Sequence, residues 1–223
     1  MKMLTLTRKP ANGAGLSEHD QRLLWRIAAL LLDYPGAQTL AMTDQLTTAA
    51  MELPAALGAP VLDFLQDFCD ADLMQLAMRY VETFDMRRQA SLHLTYYAFG
   101  DTRKRGMALL RFKHAYRQAG MAIDDSELPD YLPLVLEFAA TIDHRQGERL
   151  LAEHVPVLEL LRLSLLDGES AYASVLAAIL ATLPAINTAD RRRIAELAAQ
   201  GPPDEEVGLE PFAMDPLTFG GRR

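Results

Sequence analysis

Leucine and alanine recur at three- and four-residue spacing along almost the whole chain, in runs cut by proline, glycine or paired aspartates. The stretch "RLLWRIAALLLDYP" (22–35) is typical: apolar residues fall on one face of a 3.6-residue helix until Pro35 stops it. The residues a sheet would want are scarce. Only seven Val and six Ile occur in 223 residues, and aromatics make up 7%. The expected fold is therefore all-α, a single compact helical domain of about nine or ten helices over 17–200. Loose tails are expected at 1–16 and at 201–223, the latter rich in Pro, Gly and acid.

Local signals place the helices. Ser17 with Asp20 reads as a helix start. Segments 38–52, 59–69 and 71–85 are separated by Pro54, Gly58, Pro60 and the Asp70-Ala71-Asp72 break, and a shorter helix is expected over 90–99. Gly100-Asp101-Thr102 reads as a turn with Asp101 as N-cap, and Gly120 as the C′ residue of the helix that follows. Further helices are expected at 130–142, 147–166, 169–183 and 188–199.

One cysteine, Cys69, excludes an intrachain disulfide framework and fits a reducing compartment; within "VLDFLQDFCD" it reads as a small buried hydrophobe. The first fifteen residues hold no apolar stretch of signal-peptide length, and no apolar run approaches ~20 residues. A cytoplasmic protein without stable membrane insertion is expected. The net charge of −8 and pI near 5.1 argue against nucleic acid as main partner, and against a helical DNA-binding regulator.

Charge placement says more than its total. Residues 61–85 carry six acids and one Arg; residues 120–137 carry five acids and no Lys or Arg; residues 101–119, between them, carry six cations and one acid. The basic block opens with Arg103, Lys104 and Arg105 in a first helical turn, where the macrodipole disfavours cations. Either carboxylates of the flanking blocks offset them, or the turn contacts an anion.

In "ELPDYLPLVLEF" (127–138), Asp130 and Glu137 stand seven residues apart, nearly two turns on a helix and about 10 Å along its axis. Two readings follow: Asp130 N-caps the helix while Glu137 pairs with an internal Arg, or both line a groove for a cationic peptide. Tyr80 and Phe84 in "RYVETFD" share a helical face, and Asp85 at that helix's end opposes the dipole, which hints at another use. Catalytic and metal readings are poor. The five histidines show no HxxxH or HExxH spacing, and GxSxG, GxGxxG and P-loop motifs are all missing from the sequence.

Those segments, namely "LLLDYP" at 30–35, "YVETFD" at 80–85, "GDTRKRGMALL" at 100–110, "YRQAGM" at 116–121 and "ELPDYLPLVLEFAA" at 127–140, resemble in order and spacing the NarJ family. These are assembly chaperones of respiratory nitrate reductase, within the wider group of redox-enzyme maturation chaperones that includes TorD and DmsD. The resemblance spans about 24–180. It implies a non-enzymatic helical chaperone with no cofactor of its own. Its partner would be the N-terminal segment of the apo catalytic (alpha) subunit, and its role to prevent premature membrane docking while molybdenum cofactor and iron–sulfur clusters are inserted. Cofactor-delivery proteins are further implied partners, and another molybdoenzyme is the alternative client. The implied peptide-binding residues are Tyr80, Phe84, Asp85, Glu127, Asp130, Tyr131 and Glu137. The wider group favours His where Tyr131 stands, so any role needing a titrating imidazole there is lost.

Overall fold

The computed structural model describes residues 16–100, 102–123 and 127–201. The expected tails at 1–16 and 201–223, apart from Leu16 and Gly201, and the Asp101 cap lie outside them. Helices account for most of the described chain: α1 (Glu18–Leu32), α2 (Ala37–Ala41), α3 (Thr43–Glu52), α4 (Ala55–Cys69), α5 (Leu73–Tyr80), α6 (Tyr96–Phe99), α7 (Arg103–Gln118), α8 (Leu132–Thr141), α9 (His144–Glu153), α10 (Val155–Asp167), α11 (Tyr172–Thr182) and α12 (Thr188–Gln200). Among the described residues no strand forms. The all-α expectation holds.

The count exceeds the expected nine or ten because two long periodic runs break in the middle. The run at 38–52 divides at Met42 into α2 and α3, and the run at 147–166 divides at His154, with Pro156 in the first turn of α10. Apolar periodicity survives such a break, so it does not reveal one. Of the expected 90–99 helix only α6 forms, at its end; Ala90 closes a 3-10 turn and 91–95 is non-helical.

Caps behave as their chemistry dictates. The Ser17 side chain accepts the Asp20 N–H, and Asp72 with Gln75 and Asn187 with Asp190 form reciprocal capping boxes. Gly120 takes φ +76° just past α7, as a C′ glycine should.

At the centre, α1 packs most extensively on α8 and also lies against α11, which in turn contacts α4 and α10. Leu24, Trp25, Ala28 and Leu32 of α1 share one core with Leu132, Val135, Leu136 and Phe138 of α8, all fully buried. Polar ties fix the register: Trp25 Nε1 donates to Thr182 Oγ1 at 2.9 Å, and Arg22 donates to the Ala140 carbonyl at 2.9 Å. At Gly147 of α9 a Cβ would overlap Ala139 of α8, so the glycine permits the close approach of these helices.

Cys69 corrects an expectation. It is the last residue of α4 and exposed, because Phe64, Leu65 and Phe68 already fill the core-facing side of that helix.

Candidate functional site

The site is built where two non-helical segments cross. Leu94 N–H donates to the Asp130 carbonyl at 3.0 Å, and Leu132 N–H to the Leu92 carbonyl at 2.9 Å, forming a single antiparallel bridge between His93 and Tyr131. This crossing sets the start of α8, with Tyr131 as an extended N-cap and Pro133 in the first turn. Asp130 therefore precedes the helix rather than sharing a face with Glu137.

Asp130 is fully buried. Its Oδ2 accepts from the Thr95 N–H at 3.0 Å and from the Thr95 hydroxyl at 2.5 Å, while Arg105 Nη2 stands 3.7 Å away and His93 Nδ1 lies 3.4 Å from Oδ1. Arg105 Nε in turn donates to Thr95 Oγ1 at 3.3 Å, and its guanidinium lies over the Tyr96 ring. Burial alone would raise the Asp130 pKa. Interactions with His93 and Thr95 outweigh burial and hold the carboxyl below its ordinary range. Asp130 neither caps α8 nor reaches the surface; it ties 93–95, α7 and the start of α8 together. Glu137 pairs with Arg26 of α1 at a part-exposed position.

The basic turn divides. Arg105 is buried in the Asp130 network, which is the internal pairing its position called for, whereas Arg103 and Lys104 are exposed.

The aromatic residues converge. Tyr80 and Phe84 are buried with ring centroids 4.8 Å apart, and both pack on Tyr172, which continues to Phe64. The helix loosens to a π-turn at Val81–Asp85, so Phe84 turns inward while Asp85 stays exposed. Beyond this wall lies a cavity of about 360 Å³ lined in part by Phe64, Phe68, Leu76, Arg79 and Tyr172. On the near side Tyr34, 53% exposed, stands edge-on to Tyr80.

Three polar contacts link this wall to the surface. The Tyr80 hydroxyl donates to the Leu32 carbonyl (3.1 Å), the Tyr131 hydroxyl donates to Asp33 Oδ1 (3.1 Å), and the two hydroxyls lie 3.0 Å apart. Two hydroxyl protons cannot serve all three contacts at once, so the cluster has more acceptors than donors. Burial pushes the Tyr80 phenol up to about 12; the Tyr131 contact opposes this, and the charges of Asp33, Asp85 and Glu127 add to it. Burial also raises the Tyr131 phenol, with Tyr80 and Asp33 acting in the same direction.

Of the residues the sequence suggested, the structure thus brings Tyr80 into contact with Phe84 and Tyr131, and the charges of Asp85 and Glu127 are felt at Tyr80. It separates Asp130, which is internal, and Glu137, which is paired. It adds Asp33 and Tyr34. Asp33 follows the C-terminus of α1, where an anion opposes the helix dipole, the same signal that marked Asp85.

Comparisons with known proteins bear on the family and the fold. Residues 41–178 match the family described as nitrate reductase delta subunit. The nitrate reductase-like protein NarX of Mycobacterium tuberculosis is 41% identical over 163 residues, 72% of this chain but only 24% of NarX, so the chain spans about a quarter of that relative. The nitrate reductase molybdenum cofactor assembly chaperone NarJ of Escherichia coli K12 is 34% identical, over 85% of this chain and 79% of its own length. A crystal structure described as a redox enzyme maturation protein from Archaeoglobus fulgidus superposes with a TM-score of 0.55 at 19% identity, covering 78% of this chain and 97% of that one, and so shares the fold. The chain belongs to the nitrate reductase delta subunit family, together with the NarJ chaperones.

Proposed function

We propose that this protein is an assembly chaperone of a respiratory nitrate reductase, and that it holds the N-terminal segment of the apo catalytic subunit at the Tyr80–Tyr131–Asp33 cluster. Membership of the family supports the chaperone role. The observation that carries the peptide reading is the surplus of acceptors at that cluster. Asp33, Asp85 and Glu127 are all exposed, all act on the Tyr80 hydroxyl, and none has an ion-pair partner among the described residues. An arginine of the client would supply the missing donors and neutralise the charge at once.

Apolar side chains of the same peptide, presented from one helical face, have the exposed Tyr34 ring to pack on, backed by the buried Tyr80 ring. Capture would then be hastened by the acidic rim, while its lifetime rests on the apolar anchors. A client held in this way stays off its membrane anchor while molybdenum cofactor and iron–sulfur clusters are inserted, with cofactor-delivery proteins as transient visitors. No helix of the described residues is long and apolar enough to cross a membrane.

Isothermal calorimetry of the full chain with a synthetic arginine-bearing N-terminal peptide of the reductase catalytic subunit, over a salt series, tests the proposal. Binding that weakens as salt rises is expected. Absence of heat at low salt overturns the peptide reading, and preference for the corresponding peptide of a different molybdoenzyme would reassign the client.

A further inference from the structure

The inward side of α7 is fully accounted for. Phe112, Ala115 and Tyr116 are buried, and Arg105 turns in to Thr95 and Asp130. Its outward side is not. Met107 is 69% exposed and Leu110 52% exposed. They share a stripe, at helical spacing, with Arg103 and Arg117, and Lys104 adjoins it. Arg103, Lys104 and Arg117 are exposed and have no ion pair among the described residues. Two of them occupy the first turn, where the helix dipole repels them.

Gly106 sits in the same exposed region. A glycine weakens a helix interior relative to alanine, and here no packing explains it, since a Cβ would meet nothing within 4 Å. A face that is basic, greasy and locally flattened is suited to an acidic, apolar-bearing strand of polypeptide.

We propose that residues 204–217 of this same chain, "DEEVGLEPFAMDPL", dock along the outward face of α7. The segment holds five carboxylates and no Lys or Arg, interspersed with Val, Leu, Phe and Met, so both its charge and its apolar content complement the face. Prolines at 202, 203, 211 and 216 disfavour a competing helix. Position favours it over a foreign strand. Leu197 of α12 is buried with Val157 and Leu160 against Tyr97 and Ala98 of α6, the element just before α7. Gly201, one turn further on, therefore releases the chain on the α6–α7 side of the molecule. At roughly 3.3 Å per residue, the segment to 217 reaches up to ~50 Å, about twice the ~24 Å length of α7. Tethering supplies an effective concentration that a free partner would have to match.

Because none of the outward residues of α7 used here belongs to the Tyr80–Tyr131–Asp33 cluster, the inference stands apart from the client-peptide reading. A photo-crosslinking benzoylphenylalanine placed at Met107 in the full chain tests it, with the same probe at exposed Met51 of α3 as control. The Met107 probe should yield a product of monomer mass whose cross-linked peptide lies in 204–217. Its yield should fall several-fold in Glu205→Lys/Glu206→Lys and recover when Arg103→Glu/Lys104→Glu is added. No more 204–217 product than the Met51 probe gives, or a product of dimer mass that grows with protein concentration, would overturn it. So would a yield indifferent to both charge changes.

Discussion

The Asp130 carboxylate accepts both the backbone N–H and the hydroxyl of Thr95, a residue 35 positions earlier, and does so with none of its own surface exposed. That single relationship locks the His93–Tyr131 crossing, which in turn delivers the Tyr131 hydroxyl to Asp33 and Tyr80.

Asp130→Asn should destabilise the protein by about 3–5 kcal/mol, because Arg105 stays buried while its anionic partner is lost. The pH dependence has a fixed sign. The folded-state pKa of Asp130 is depressed, so its stabilisation is fully present above the ordinary carboxylate pKa and is lost as pH falls through the lowered folded value. Urea denaturation of wild type and variant across acid pH should show their difference shrinking at the acid end.

Tyr131→Phe removes the hydroxyl between Asp33 and Tyr80 at a part-exposed position, so it should change stability by no more than about 1 kcal/mol. Binding of the arginine-bearing peptide should fall several-fold by calorimetry if that hydroxyl orients Asp33 for the client.

Tyr131→His would place an imidazole beside Asp33. Near its ordinary pKa of about 6.5 it gains a positive charge that competes with a client cation. Peptide affinity should then weaken as pH falls through that region in the variant and stay nearly level in wild type.

Asp33→Asn should weaken peptide binding more than Glu137→Gln. Glu137 already faces Arg26, and at such part-exposed depth the pair contributes only about 0–1 kcal/mol to stability. Equal losses in the two variants would return Glu137 to the binding surface.

Two glycine substitutions should act with opposite sign. Gly147→Ala drives a methyl into Ala139 and should destabilise by about 1–3 kcal/mol, whereas Gly106→Ala meets open space and should stabilise by about 1 kcal/mol. Thermal or urea denaturation measures both.

Helix type and most helix ends were legible in the sequence because they depend on neighbours three or four residues away. Ser17, Asp72, Pro35 and Gly120 act within a single turn, and the structure uses Ser17, Asp72 and Gly120 as caps. Tyr80, Phe84 and Tyr131 were legible as a set because aromatic residues flanked by acids stood in motifs of recognisable order. The breaks at Met42 and His154 were not, since the apolar pattern runs through them unchanged.

By itself, then, the sequence determined an all-helical chain with acidic and basic blocks, because helical periodicity and local charge are properties of short stretches. Only the tertiary structure decided which acid does what. Asp33, Asp130 and Glu137 are chemically alike, yet one is exposed beside two phenols, one is sealed under Thr95 and Arg105, and one is neutralised by Arg26. The physical reason is that a carboxylate's role follows from its burial and its partners. Both are set by which distant segments cross, and no local pattern encodes that.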